Sequence, residues 1–430
     1  MLLTLAACGA SGRAAPADAE RAVAVDAGVV ADAAAAGPAI RAIGVGDRRS
    51  CALAESGEVW CWGAVGLAAV PAAAVATRVG LTGVVSLAVG SRHVCVARGD
   101  GTVACWGDNR DGQLGDGTLE SRDTIATVAG VSGVVEVVAG GAQTCVRDRD
   151  GAVWCWGHPG AVGHGGDPRK AARPGRVVGL RGATRLVAGD DVACAFVADG
   201  GPRCWGFNTT GLFGNAPGPI LRATVSKPLA KAIAIGIGWR HVCFADADAL
   251  VWCGGADEFG QLGDQRVPDD ARCDPYDPRG VVCRWTDAPP PRDPRDPPRP
   301  DRCCPKEPAA PPRTHEQVFA ERRWWVWAGG GVRGVALSAG HGRSCALTPT
   351  GDVTCWGQWF YGTDWSFRRP RVVPGTTGTI AVATGQHHAC ALLADRSVRC
   401  WGEHDGGALG VDAPRDSRDR QLTAVPVIFR

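Results

Sequence analysis

Cysteine carries most of the potential chemistry in this 430-residue chain, which has 19 of them. Fourteen form seven pairs with one fixed spacing: Cys51/Cys61, Cys95/Cys105, Cys145/Cys155, Cys194/Cys204, Cys243/Cys253, Cys345/Cys355 and Cys390/Cys400. A glycine stands five residues before each pair and another two residues after it, and six of the seven end in Cys-Trp-Gly. The fifth reads Cys253-Gly254-Gly255. Such thiols can form disulfides, ligate a metal or stay reduced in a core. Zinc sites usually bring ligands together in a Cys-x2-4-Cys knuckle, a spacing these pairs lack. Reduced thiols remain open, but pairing in every repeat favours disulfides and an oxidising compartment.

Other chemistry is sparse. The sequence has no Gly-x-Ser-x-Gly nucleophile elbow and no phosphate loop ending in Gly-Lys-Ser/Thr. His315-Glu316 begins like a zinc protease motif, yet Phe319 takes the place of the second histidine. Asp108-Asn-Arg-Asp111 lacks the bidentate glutamate and ligand spacing of a calcium loop. His93, His241 and His388 each precede a hairpin cysteine by two residues, where other repeats hold Arg49, Gln143, Val192 and Arg343. Hydrogen bonding at a strand rim accounts for that position better than a shared catalytic role. No catalytic residue, cofactor or metal site is expected.

The elements that must carry the cysteines follow from the spacing. Cys51 and Cys61 are symmetric about Ser56, so Glu55, Ser56 and Gly57 form a three-residue hairpin loop whose last residue is left-handed. Glycine suits that position, and Gly57, Gly101, Gly151, Gly200 and Gly351 supply it, while Ala249 and Arg396 predict strain or another turn. Counting from the closing pair puts the cysteines at opposed, non-hydrogen-bonded positions, with Cα atoms about 4.5 Å apart, within reach of a disulfide. Two short apolar strands with a glycine break precede most hairpins, as in Thr127–Gly140 and Arg176–Gly189. Four strands per unit of about 50 residues make a propeller blade.

First cysteines lie 44, 50, 49, 49, 102 and 45 residues apart, an array with one insertion. Gly90-Ser-Arg-His-Val-Cys through Gly115 carries a Gly-x-x-His start, an Asp-Gly turn, a Trp-Gly and a Gly-Gln-Leu-Gly loop. In these the sequence resembles the regulator of chromosome condensation repeat family over about residues 40–263 and 326–430. Cysteines flanking each hairpin look like its bacterial, exported version. The resemblance implies an all-β, seven-bladed propeller of four-stranded blades. Trp62, Trp106, Trp156, Trp205, Trp356 and Trp401 are expected to pack between blades. Gln421–Phe429 reads as the outer strand missing from the first blade, so the C-terminal strand is expected to complete that blade and close the ring.

The propeller is expected over residues 40–430, behind a lipoprotein signal over 1–8 that resembles a lipidation site at Cys8, and an Ala-rich linker over 9–39. Residues 264–325 insert 14 prolines, 12 acidic and 12 basic residues into the fifth unit, with Cys303 and Cys304 adjacent and Cys273/Cys283 a candidate further disulfide. A net charge of +2 from 46 basic and 44 acidic residues argues against nucleic acid as partner. The expected function is a monomeric, non-enzymatic scaffold, lipid-anchored in the bacterial cell envelope, periplasmic or surface-exposed, binding a protein or glycan through its loops. The competing expectations are a propeller hydrolase or lyase with acids on one face, and, by family analogy, a small-GTPase exchange factor.

Overall fold

The computed structural model describes residues 37–64, 73–164, 171–198, 200–208, 211, 213, 218–263, 326–328, 331–358, 366–412 and 420–430. Alternating apolar residues broken by glycine turns give seven four-stranded antiparallel sheets, the blades of a propeller. In the first blade β1 (Ile40–Val45), β2 (Arg49–Ala54), β3 (Val59–Gly63) and β4 (Ala73–Arg78) lie side by side in chain order. The same order restarts at Val84, Val134, Ala183, Ala234, Ala336 and Thr379. First strands of neighbouring blades pack on one another around a common axis.

The blades are phased differently from the sequence expectation. The glycine break does not separate two strands of one blade: Gly130 and Gly133, both at positive φ, lie between the fourth strand of one blade (Arg122–Val128) and the first of the next (Val134–Ala139). Each hairpin therefore has one strand before it and one after. This overturns the expected closure. The first blade owns its outer strand, Ala73–Arg78, and the C-terminal strand Arg420–Pro426 pairs with Val398–Glu403 in the seventh. Only the tail beyond it reaches the first blade, through a parallel bridge between Ala76 and Phe429.

The hairpins have the expected register. Each cysteine faces its partner, and all seven disulfides are formed: Cys51–Cys61, Cys95–Cys105, Cys145–Cys155, Cys194–Cys204, Cys243–Cys253, Cys345–Cys355 and Cys390–Cys400. Two details differ from expectation. Their Cα atoms are 4.0–4.2 Å apart, nearer than the about 4.5 Å expected of a non-hydrogen-bonded pair. The second cysteine of each pair is also not on a blade edge, where two strands before the hairpin would have put it. The changed phase lays a fourth strand beside it, so that Cys155 lies opposite Gly175, Cys204 opposite Thr224 and Cys355 opposite Arg371. These three cysteines are fully buried as a result.

Ala249 (φ 62°) and Arg396 (φ 71°) keep the glycine turn instead of adopting another, and among the described residues they are the only non-glycines at positive φ. Cys8, Cys273, Cys283, Cys303, Cys304 and the 264–325 segment lie outside the described residues, as does the Ala-rich stretch up to Ala36.

Seven hydrophobic clusters form the core, one at each blade interface, and the last joins the seventh blade to the first through Leu392, Val398, Ile40 and Trp62. Six contain the Cys-Trp-Gly tryptophan of the following blade: Trp62, Trp106, Trp156, Trp205, Trp356 or Trp401. The cluster between blades four and five has none, because Gly254 stands at that position, and Phe213 and Phe244 occupy the interface instead. The antiparallel order sends the first-to-second and third-to-fourth connections to one face of the ring. Hairpin turns and inter-blade turns occupy the other. The described part of the fifth blade's third-to-fourth connection, 256–263, leaves Val251–Gly255 on the first face.

Candidate functional site at the propeller axis

The first-to-second connections meet at the axis. Each starts at the glycine that precedes its cysteine by five residues, and that glycine's amide donates to the carbonyl three residues on at 2.8–2.9 Å. Seven equivalent turns thus bring Gly46, Gly90, Gly140, Gly189, Gly238, Gly340 and Gly385 into a ring. A methyl group on Gly140 would land on the Gly189 carbonyl oxygen, one on Gly340 on that of Gly385, and one on Gly385 on that of Gly46. Close approach at the axis, not turn conformation, demands these glycines.

Above the ring lies a cavity of ≈ 140 Å³. The rim position, the residue after each glycine, is where the repeats diverge: Asp47, Ser91, Asp190, His341 and Gln386 line the cavity, and Gly141 and Trp239 hold the same position in the third and fifth blades just outside its lining. None of the disulfide cysteines lines it; Cys155, Cys204 and Cys355, like the rest, are placed in the blades and hold the strands that present the rim. Backbone bonds carry the rim between blades, from Asp47 N to Ser91 O at 3.0 Å, Ser91 N to Gly140 O at 3.1 Å and Gly141 N to Asp190 O at 2.7 Å. The Asp190 carboxylate lies over Gly141, where a methyl group would come within 2.9 Å of Oδ1. Ser91 Oγ donates to Oδ1 at 3.3 Å. Burial first, then the negative charges of Asp191 and Asp47, push Asp190 up to about 6. Burial also raises Asp47, opposed by the Arg92 guanidinium 3.5 Å away, and it raises Asp191.

The two blades that follow Asp190 supply an aromatic side. Trp239 is 42% exposed; it stacks on His341 with centroids 4.3 Å apart and planes 15° from parallel. Arg240 lies over the indole at 5.5 Å and pairs with Glu258 at 3.0 Å. An exposed tryptophan held on two sides is a rigid apolar platform, the kind of residue that dominates binding surfaces.

The histidines have the structural role expected of the strand rim. His241 Nε2 lies 2.8 Å from Ser344 Oγ in the next blade, and that hydroxyl donates to Gln261 O at 2.9 Å. With its only proton committed there, Ser344 accepts from His241, so the imidazole carries its hydrogen on Nε2. Trp356 Nε1 donates to the same carbonyl at 2.8 Å. His93, Thr144, Gln113 and Trp156 repeat this network, and His388 meets Ser50 at 2.6 Å. Burial lowers His93 to about 4 and His241 and His388 to about 3, keeping all three neutral at physiological pH. The Gly-x-x-His and Gly-Gln-Leu-Gly motifs therefore hold blades together.

Among the described residues, no group of three or more His, Cys, Asp or Glu is arranged to hold a metal, and no helix is long and apolar enough to cross a membrane. The sequence reading missed the rim. Its signal was available, because aligning the repeats on the Gly-x4-Cys spacing exposes one position that differs in nearly every copy beside an invariant glycine.

Comparison with known proteins supports the same architecture. Models of the regulator of chromosome condensation (RCC1) repeat match residues 40–64, 84–113 and 380–407, and a second model of that repeat matches 100–147. No curated protein matches the sequence. Prp20p from Saccharomyces cerevisiae, solved in a study of its binding to Gsp1p and histones, is similar in structure. It aligns with a TM-score of 0.59 and 18% identity over 80% of both chains. Yeast RCC1 (Prp20) bound to Kap60 gives 0.60 and 17% over 81% of this chain and 78% of that one. Human WBSCR16 gives 0.58 and 18% over 83% and 85%. At these identities the likeness concerns the fold. The chain is a seven-bladed propeller that carries regulator of chromosome condensation repeats over residues 40–64, 84–147 and 380–407.

Proposed function

We propose that the chain is a non-enzymatic binding scaffold that engages a protein partner through the face bearing the axial rim and the long third-to-fourth-strand connections. One observation carries this reading: seven backbone turns of the same form present different side chains around one axis. A constant frame with a variable rim is how a repeat protein separates stability from recognition. Seven disulfides, one per blade, favour an oxidising compartment, extracellular or in the cell envelope. Anchoring through a lipid on Cys8 belongs to the same proposal, and a glycan remains a ligand class within it. The partners named for structurally similar proteins do not carry over at 17–18% identity.

A second reading, a hydrolase or lyase, draws on Asp47 and Asp190, raised carboxylates that line the axial cavity from two blades, with Asp191 next to the latter. Cavity size weighs against it, since ≈ 140 Å³ is well below the roughly 300–1,000 Å³ of sites that enclose a substrate.

The test is affinity capture from envelope extract with the intact chain, with Trp239→Ala, and with residues 264–325 deleted. Capture of a defined partner that Trp239→Ala abolishes supports the scaffold reading; equal capture by all three chains removes both the rim and the insertion from the binding surface. Mass spectrometry of the mature N-terminus checks Cys8, and an unmodified thiol there defeats the anchor.

A further inference from the structure

We infer that the axial cup receives the primary ammonium of a lysine side chain presented by the protein partner, a step that rests on the scaffold reading above. The cup is rich in acceptors and poor in cations. Asp190, mostly buried and facing the cavity, has one hydrogen bond, from Ser91, and no ion-pair partner among the described residues. Its charged neighbours are Asp191 and Asp47, both of like sign. Arg92, the cation on that side, is committed to Asp47, and His158 and Asp111 face Asp191 behind the rim. His387 faces Asp47 and is bonded to Glu403 at 2.6 Å. A carboxylate kept dry beside like charges gains most from an incoming cation.

Shape selects among cations. The cavity of ≈ 140 Å³ over the glycine ring has room for one compact head group. A guanidinium binds best through two parallel bonds to one carboxylate, but Ser91 already occupies Oδ1 of Asp190. An ammonium needs only separate acceptors arranged around it, which Asp47, Asp190, the Gln386 amide oxygen and the ring carbonyls supply. Trp239, stacked on the cavity-lining His341 and 42% exposed, offers the apolar edge of its indole to the four-carbon stem where that stem leaves the cavity. The acidic side and the aromatic side thus match the two ends of one lysine.

The test uses the full chain labelled with 5-fluorotryptophan, the Trp239 resonance being assigned through Trp239→Phe. n-Pentylamine, a mimic of the side chain, is expected to shift that resonance saturably, and n-pentanol is not. Asp190→Asn is expected to weaken the amine about tenfold, close to 1.4 kcal/mol, and Asp47→Asn to weaken it too. Lowering the pH from 7.5 to 5 protonates Asp190 and has the same effect. In the capture experiment, n-pentylamine releases the bound partner and n-pentanol does not. A Trp239 resonance that ignores the amine, or binding indifferent to both aspartates, overturns the cup. Binding of the amine without release of a captured partner overturns the lysine as occupant. In each case capture that depends on Trp239 leaves the scaffold reading standing.

Discussion

Ala249 holds a conformation that five other hairpins assign to glycine, with φ 62° at the third loop position. A left-handed L-residue costs about 1–2 kcal/mol, partly offset by the extra freedom glycine has when unfolded. Ala249→Gly is expected to stabilise the chain by about 1 kcal/mol in urea unfolding; a loss of stability would show that the turn is not strained. Asp190 is the opposite kind of residue, one whose environment costs stability for the sake of a site. Its folded-state value, about 6, lies above the ordinary carboxylate value of 3.8, so the penalty is absent below pH 4, grows as pH rises toward 6 and is complete above it. Asp190→Asn is therefore expected to raise the melting temperature at pH 7.5 by about 2–4 °C and to give no gain at pH 4. An equal effect at both pH values would place the cause outside ionisation.

At the scale of elements, the disulfides and the clusters divide the work. Each bond ties the second strand of a blade to its third, while each cluster ties one blade to the next. Replacing Cys95 and Cys105 together by alanine frees a loop of about 11 residues and is expected to cost about 2.8 kcal/mol by the chain-entropy relation. The loss should be read in urea unfolding, with the other six disulfides intact by mass spectrometry. The fourth interface tests the clusters. Phe244 lies there in place of a tryptophan, and Phe244→Ala is expected to cost about 3 kcal/mol, with faster amide exchange along Val192–Val197 and His241–Ala245. Hairpin register was legible in the sequence because the Cys-x9-Cys spacing and the loop glycine fix it locally. Blade phase was not. A glycine break reads the same whether it turns the chain within a blade or between two, and only packing on the neighbour decides. The same ambiguity hid the outer strand beside Cys155, Cys204 and Cys355, since their own spacing says nothing about what lies across from the hairpin. Asp47, Asp190 and Trp239 could be picked out as the variable residues beside an invariant glycine, but not as neighbours, since only the axis brings together positions up to about 190 residues apart.

For the whole molecule the question is how a ring without a shared blade stays shut. Every blade is complete within its own stretch of chain, so the seam between the seventh and first has no strand exchange to lock it. Its cluster, with Leu392, Val398 and Cys400 against Ile40, Ala52 and Trp62, resembles the other six. What the seam adds is the tail. Val427 N donates to Val398 O at 2.9 Å and Ile428 N to Gly410 O at 2.8 Å on the seventh blade; Ala76 N donates to Ile428 O at 2.8 Å, and Arg430 N to Ala76 O at 3.0 Å, on the first. Phe429 presents its ring edge-on to Trp60 and Trp62, at 5.8 and 6.1 Å. Four residues thus bridge both blades. Deleting 427–430 removes the bridge and leaves strand Arg420–Pro426 in place, whereas deleting 420–430 also strips the seventh blade of its outer strand. The shorter deletion is expected to cost about 2–4 kcal/mol, most of it from the aromatic contacts. It should speed amide exchange first in Ile40–Val45 and Ala73–Arg78 while the interface between blades two and three keeps its protection. The longer deletion should cost more and spread to Val398–Glu403. If the short deletion leaves exchange at the first blade unchanged, the cluster alone closes the ring and the tail is an ornament of the seam.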